Sequence, residues 1–227
     1  MKSWIPNGIT LGNLILGCWA ILFLPDYPLL SIYCVIGAAI LDFFDGFAAR
    51  LLHVSSPLGG QLDSLADVVS FGVVPSIWAY HLLPHSGINS FLPFLIAAGA
   101  AYRLARFNLD PANSSGHFKG LPVPSNAMIW MGITGLANAS YIEIPVPLVY
   151  FLIALTTLLM VSTTPLLSLK FKGLGWKGQE IIWILLLSSL LIIGMGYFFF
   201  KSIYVGLIGV MAVYLILSLS YYKKISS

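Results

Sequence analysis

The sequence predicts an all-α, polytopic membrane bundle of about eight transmembrane helices, and three observations carry that reading. Of 227 residues, 59% are hydrophobic and only 8% are charged, whereas a soluble domain carries about 25% charged residues. The apolar runs reach the length of about 20 residues that a helix needs to cross a bilayer, which also argues against a β-barrel, whose strands alternate polar with apolar. Finally, the basic residues segregate to one side once the runs are threaded through a membrane.

Windows of about 19 residues place spans near 9–24, 28–52, 63–84, 88–109, 122–141, 147–165, 180–200 and 203–222. Residues 3–8, after Lys2 and around Pro6, read as an amphipathic lead-in along the interface. The first run reads as a membrane anchor and not as a cleaved signal, because no short apolar core is followed by a small-residue cleavage site. Pro28, Pro57, Pro84, Pro111, Pro122, Pro145, Pro147 and Pro165 fall at or near proposed ends, where a missing N–H does least harm. Pro75, inside the third run, is the exception.

A cytoplasmic N-terminus puts Lys2, Arg50, Arg103, Arg106, Lys119, Lys170, Lys172, Lys177, Lys223 and Lys224 on the cytoplasmic side and leaves Lys201 outside. The chain is thus expected to be an integral cell-membrane protein with both termini cytoplasmic. Residues 166–179 read as a basic cytoplasmic loop near lipid headgroups. We expect one membrane domain over 1–227, with a catalytic bundle at 1–165 and the loop with two accessory helices at 166–227. The net charge of +3 is too small and too scattered for nucleic-acid binding. Cys18 and Cys34, both inside apolar runs, suggest small packing residues and no disulfide.

Four of the eight acidic residues, Asp42, Asp45, Asp63 and Asp67, stand within 26 positions at the facing ends of the second and third spans. Each carboxylate at bilayer depth costs about 2.5–3.5 kcal/mol on insertion scales, and four together repel one another. Asp42 and Asp45 are spaced i, i+3, and Asp63 and Asp67 i, i+4, so each pair shares a helical face. Two such faces can enclose hard divalent cations, Mg²⁺ or Mn²⁺, whose coordination is typically completed by water and substrate phosphate. Gly46, Ala49, Gly59 and Gly60 lie between the pairs and let a flat group approach the backbone. Arg50 can meet a nucleotide phosphate or pair with Asp45, or it can serve as a positive anchor at a helix end. His53 reads as a solvated boundary residue, and no histidine has metal-ligand company.

The run Asp42-Phe43-Phe44-Asp45-Gly46-Phe47-Ala48-Ala49-Arg50, eight residues, Gly59, three residues, Asp63, three residues and Asp67 resembles the signature of the CDP-alcohol phosphatidyltransferase family at every fixed position. The resemblance implies that an alcohol displaces CMP from a CDP-linked lipid, with two divalent ions held by the four aspartates. It further implies that Asp67 deprotonates the incoming hydroxyl, that Gly46, Ala49 and Gly59 line a cytidine pocket, and that the enzyme forms a homodimer.

Further stretches are similar to the phosphatidylserine-forming branch of that family: Ser64 through Pro75, Arg103-Leu104-Ala105-Arg106-Phe107-Asn108, Phe118 through Pro124, and Pro6-Asn7 followed by Ile9-Thr10-Leu11-Gly12-Asn13. They imply CDP-diacylglycerol and L-serine as substrates within membrane lipid. Arg103, Arg106 and Lys119 can then clasp the serine carboxylate, bind lipid phosphate, or anchor helix ends. Glycerol 3-phosphate or an inositol phosphate is the alternative acceptor. A cation transporter is the reading from another class, disfavoured because the acids gather toward one face and do not spread in depth.

Overall fold

The computed structural model describes residues 4–54, 56–85, 87–109, 117–139, 143–167 and 180–226. Helices coincide with the predicted spans: α1 (Trp4–Phe23), α2 (Pro28–Leu51), α3 (Pro57–Asp67), α4 (Val74–His81), α5 (Leu95–Leu109), α6 (Val123–Asn138), α7 (Val146–Val161), α8 (Glu180–Phe200) and α9 (Ile203–Ser226). A π-helical turn, Val68–Val73, joins α3 to α4, so the third span runs unbroken from Pro57 to His81. A 3-10 turn, Ile88–Phe94, leads into α5. Trp4–Phe23, Pro28–Leu51, Pro57–His81 and Trp183–Phe200 are long and apolar enough to cross a bilayer alone. The 16-residue α6 and α7 are about 24 Å long at 1.5 Å per residue; α6 is mostly buried in the bundle, whereas α7 buries one face and exposes Phe151 and Leu158 on the other.

The structure corrects the start of the first span. The helix begins at Trp4, and residues 4–8 continue α1 and form no separate lead-in. Pro6 falls in the opening turn, where its missing N–H removes no intrahelical bond. Pro75 finds a similar answer: it occupies the first turn of α4, directly after the π turn. The wider turn relieves the clash that a proline ring makes with the carbonyl four residues back, and Ser76 Oγ donates to the Gly72 carbonyl at 2.9 Å.

Local chemistry fixes the other ends. Ser56, in extended conformation, caps α3 by accepting from the Gly59 N–H at 3.0 Å, with Pro57 in the first turn. His53, at φ +53°, turns the chain out of α2 in the left-handed conformation that ends many helices. It is exposed, as its boundary reading requires.

Two three-residue strands, β1 (His117–Lys119) and β2 (Pro165–Leu167), pair antiparallel with Phe118 opposite Leu166. They were not predicted; three residues are too few to show an alternation. Gly120 follows β1 at φ +77°, and a Cβ there would sit 2.5 Å from the Met160 carbonyl and 2.8 Å from that of Ser162. Only glycine allows this approach, by which Gly120 N–H reaches Thr164 O and Leu121 N–H reaches Leu159 O, both at 2.9 Å.

The core joins Trp78, Phe71, Val74, Ile96, Trp130, Ile153 and Met160, all nearly inaccessible. Its two indole nitrogens are matched: Trp78 Nε1 donates to Ser31 Oγ at 2.9 Å, and Trp130 Nε1 to Thr156 Oγ1 at 3.3 Å. α1 packs on α2, α3 and the π turn, and α9 packs on α6, α8 and β2.

Candidate active site

The acidic residues converge from two helices as their spacing predicts. Asp42 of α2 and Asp63 and Asp67 of α3 each offer a carboxylate oxygen within 4.8 Å of the others. Asp42 also makes hydrogen-bonding contact with both Asp63 and Asp67, an approach that carboxylates hold only with a cation or a proton between them. Asp42 and Asp63 are half-buried and Asp67 is buried. The donor set is all oxygen, compact and negative, which fits a hard divalent cation.

Asp45 stands slightly aside. Its Oδ2 accepts from Thr10 Oγ1 of α1 at 2.6 Å, while its charge still acts on Asp42 and Asp63. Arg50 is exposed, and among the described residues no ion pair joins it to Asp45. Its guanidinium lies over Gly46, where a Cβ would be 3.7 Å from Nη1. Gly46, Ala49 and Gly59 are half-buried along the two helices. A Cβ on Gly59 would meet Ser56 Oγ at 3.1 Å and Asn7 Oδ1 at 3.2 Å, while one on Gly60 would meet nothing.

The basic residues separate into different roles. Arg103 is buried at 6% exposure, and its charge acts on Asp67, Arg106 and Tyr214. Arg106 instead donates through Nη1 to Val161 O at 2.7 Å and through Nη2 to Ser162 O at 2.9 Å, with Tyr102 stacked 5.8 Å from its guanidinium carbon. This caps the C-terminus of α7, where a cation also meets the negative end of the helix dipole. Lys119 ends β1, and its side chain lies outside the described residues, as does the loop holding Lys170, Lys172 and Lys177. Asn108 Nδ2 donates to Ser64 Oγ at 2.9 Å. That bond ties together two of the stretches singled out from the sequence, and docks α5 so that Arg103 faces α3.

Three residues had no site role assigned from the sequence, although Thr10 and Asn13 lie in one of the stretches that carry the resemblance. Thr10 reaches Asp45, Asn13 Nδ2 donates to Asp67 Oδ1 at 3.4 Å, and Tyr214 of α9, hydrogen-bonded to Ser218, adjoins Arg103. The first two are uncharged polar residues at i, i+3 in an apolar helix, a spacing that would have found them. Tyr214 had no such signal. It brings α9, expected to be accessory, up to Arg103 beside the acidic cluster.

Comparison with known proteins agrees with this geometry. The chain is 32% identical over 194 residues to a CDP-diacylglycerol–serine O-phosphatidyltransferase of Helicobacter pylori, covering 83% of this chain and 81% of that protein. It is 40% identical over 131 residues to the Bacillus subtilis enzyme of that name, covering 56% and 72%. It is 35% identical over 139 residues to the one from Methanocaldococcus jannaschii, covering 61% and 64%. The family model for CDP-alcohol phosphatidyltransferases matches residues 3–217, a stretch that includes every carboxylate, the buried arginine and the helices that hold them, and the chain belongs to that family.

Proposed function

We propose that this protein transfers the phosphatidyl group of CDP-diacylglycerol to L-serine, forming phosphatidylserine and CMP. The observation that carries the reading is the cluster of Asp42, Asp63 and Asp67 within 4.8 Å, with the buried cation of Arg103 acting on Asp67. The names of the relatives support serine as the acceptor.

The serine hydroxyl oxygen attacks the phosphatidyl phosphorus, and its proton passes to Asp67. The bond from that phosphorus to the CMP oxygen breaks, and CMP leaves with the electron pair. Asp42, Asp45, Asp63 and Asp67 would hold a pair of Mg²⁺ or Mn²⁺ ions, and such a pair would supply positive charge to offset that of the pyrophosphate. Arg103 binds the serine carboxylate, and Arg50 reaches the nucleotide phosphate. Gly46, Ala49 and Gly59 keep side chains out of the cytidine site. Arg106, spent on α7, supports this site from behind, and Lys119 remains assigned to substrate phosphate or carboxylate.

In this reading residues 1–227 form a single membrane domain, assembled as a homodimer, with both termini and the active site cytoplasmic. Reporters fused at each end should be cytoplasmic and labels near Asp26 and Glu143 external; an external terminus would overturn the sidedness. The activity is tested with purified protein, CDP-diacylglycerol and a panel of L-serine, glycerol 3-phosphate and inositol phosphate, reading CMP release with and without chelator. Serine alone should support release, and chelation should abolish it. Release with glycerol 3-phosphate but not serine would sink the acceptor assignment, and full activity in excess chelator would sink the metal assignment.

A further inference from the structure

Along α1 the residues Asn7, Thr10, Asn13 and Gly17 recur every three or four positions and so share one face. Each meets the catalytic helices. Asn7 Oδ1 lies beside Gly59 at the start of α3. Thr10 Oγ1 stands 2.6 Å from Asp45 Oδ2 and 3.0 Å from the Pro6 carbonyl. Its single proton goes to the closer, charged acceptor. Asn13 Nδ2 donates to Asp67 Oδ1, and the Asn13 carbonyl in turn accepts from Ser70 Oγ of the π turn at 3.1 Å. Gly17 completes the face: a Cβ there would collide with Ser70, whose Cα would lie only 3.0 Å away.

Asn13 is fully buried, and its Oδ1 has no hydrogen-bond partner among the described residues. A leucine would fill that space without desolvating an amide, so packing alone does not account for asparagine here. The amide orientation follows from its neighbour, because turning it over would set carbonyl against carboxylate. With the donor on Asp67 Oδ1, the other carboxylate oxygen is left for chemistry. Likewise, Thr10 engages one oxygen of Asp45, whose charge acts on Asp42 and Asp63.

We propose that Thr10 and Asn13 are positioning residues of the active site, which orient Asp45 and Asp67, so that α1 serves as a wall of the catalytic centre and not merely as a membrane anchor. This rests on the transferase reading above. Groups that orient ligands to a cation characteristically change metal affinity or activity by about 10–100-fold when removed.

The test uses the full-length protein in detergent micelles and four variants: Thr10→Val, Thr10→Ser, Asn13→Leu and Asn13→Asp. Mn²⁺ binding is titrated without substrate by electron paramagnetic resonance; kcat, the KM for CDP-diacylglycerol and the thermal midpoint are measured separately. Thr10→Val should weaken Mn²⁺ binding by about 10–100-fold, and Thr10→Ser, which keeps the hydroxyl, should restore it. Asn13→Leu should lower kcat by a similar factor with the KM for CDP-diacylglycerol and the thermal midpoint little changed. Asn13→Asp, isosteric but without the donor, should lose kcat too. Parent-like Mn²⁺ binding in Thr10→Val together with parent-like kcat in Asn13→Leu would overturn the inference, as would losses that track the thermal midpoint and are not restored by Thr10→Ser. A parent protein that binds no Mn²⁺ and turns over in chelator would instead overturn the transferase reading beneath it.

Discussion

Replacing Arg106 by methionine separates two roles that the sequence left open for this side chain. Methionine keeps an unbranched stem against Tyr102 but removes the guanidinium, and with it the bonds of 2.7 and 2.9 Å to the Val161 and Ser162 carbonyls. Hydrogen bonds to charged groups contribute about 1.5–3 kcal/mol each. Arg106 is half-buried, so water partly replaces what is lost, and the lowest third of the summed range, about 3–4 kcal/mol, is the expected loss. At about 2–4 °C per kcal/mol for a chain of this size, the thermal midpoint should fall by roughly 6–16 °C. The assay is thermal unfolding in detergent, with serine and CDP-diacylglycerol titrated independently well below the new midpoint. The KM for serine, normalised to folded enzyme, should stay at the parent value. An unchanged midpoint with a KM for serine raised tenfold would refute the capping role and return Arg106 to the acceptor site.

Arg103→Lys should behave in the opposite way: loss of a two-pronged clasp is expected to raise the KM for serine by roughly 10–150-fold, equivalent to about 1.5–3 kcal/mol, with the KM for CDP-diacylglycerol little affected. Equal rises in both would assign Arg103 to lipid phosphate. Asp63→Asn should weaken Mn²⁺ binding and turnover together, since it removes charge from the shared cluster; unchanged metal dependence would take Asp63 out of the ligand set. Gly120→Ala should lower the thermal midpoint, because it combines a positive φ with a Cβ driven against the carbonyls that end α7. A midpoint equal to the parent's would show that this connection can relax.

Energetic cost decides how much of the fold and site was legible in the sequence. Four aspartates in apolar helices are so unfavourable without a purpose that their spacing pointed to a hard-cation site and to the facing of α2 and α3, whereas the transfer reaction was implied only by the resemblance. Uncharged polar groups carry a weaker version of that signal. Thr10 and Asn13 stand in a stretch that the resemblance marked, but in an apolar run nothing assigned them a role, although their i, i+3 spacing places them on one face. Arg106 was seen with its role left open, because a cation at the end of α5 has the same sequence signature whether it meets a substrate carboxylate or the carbonyl end of a neighbouring helix. The partner, α7, lies more than 50 residues away in the chain, so only tertiary packing distinguishes the cases. Pro75 signalled an irregularity without its form; the π turn that precedes it carries Ser70, which donates to the Asn13 carbonyl of α1.

That π turn bears directly on the chemistry. A regular α-helix advances 100° per residue, and the wider turn changes the angular register between the helix on its N-terminal side and the helix on its C-terminal side. Asp63 and Asp67 lie on the N-terminal side and face Asp42, whereas Phe71 within the turn and Val74 and Trp78 beyond it fill the apolar core. One continuous span can therefore turn a charged face to the metal site at one end and a large aromatic face to the core at the other. Ser70 sits within the turn and is anchored to the Asn13 carbonyl, so the change of register is held by the same helix that hydrogen-bonds Asp67. The clustered charge sits between α1, α2 and α3, and Arg103, on the helix docked through Asn108 and Ser64, supplies a countercharge from α5.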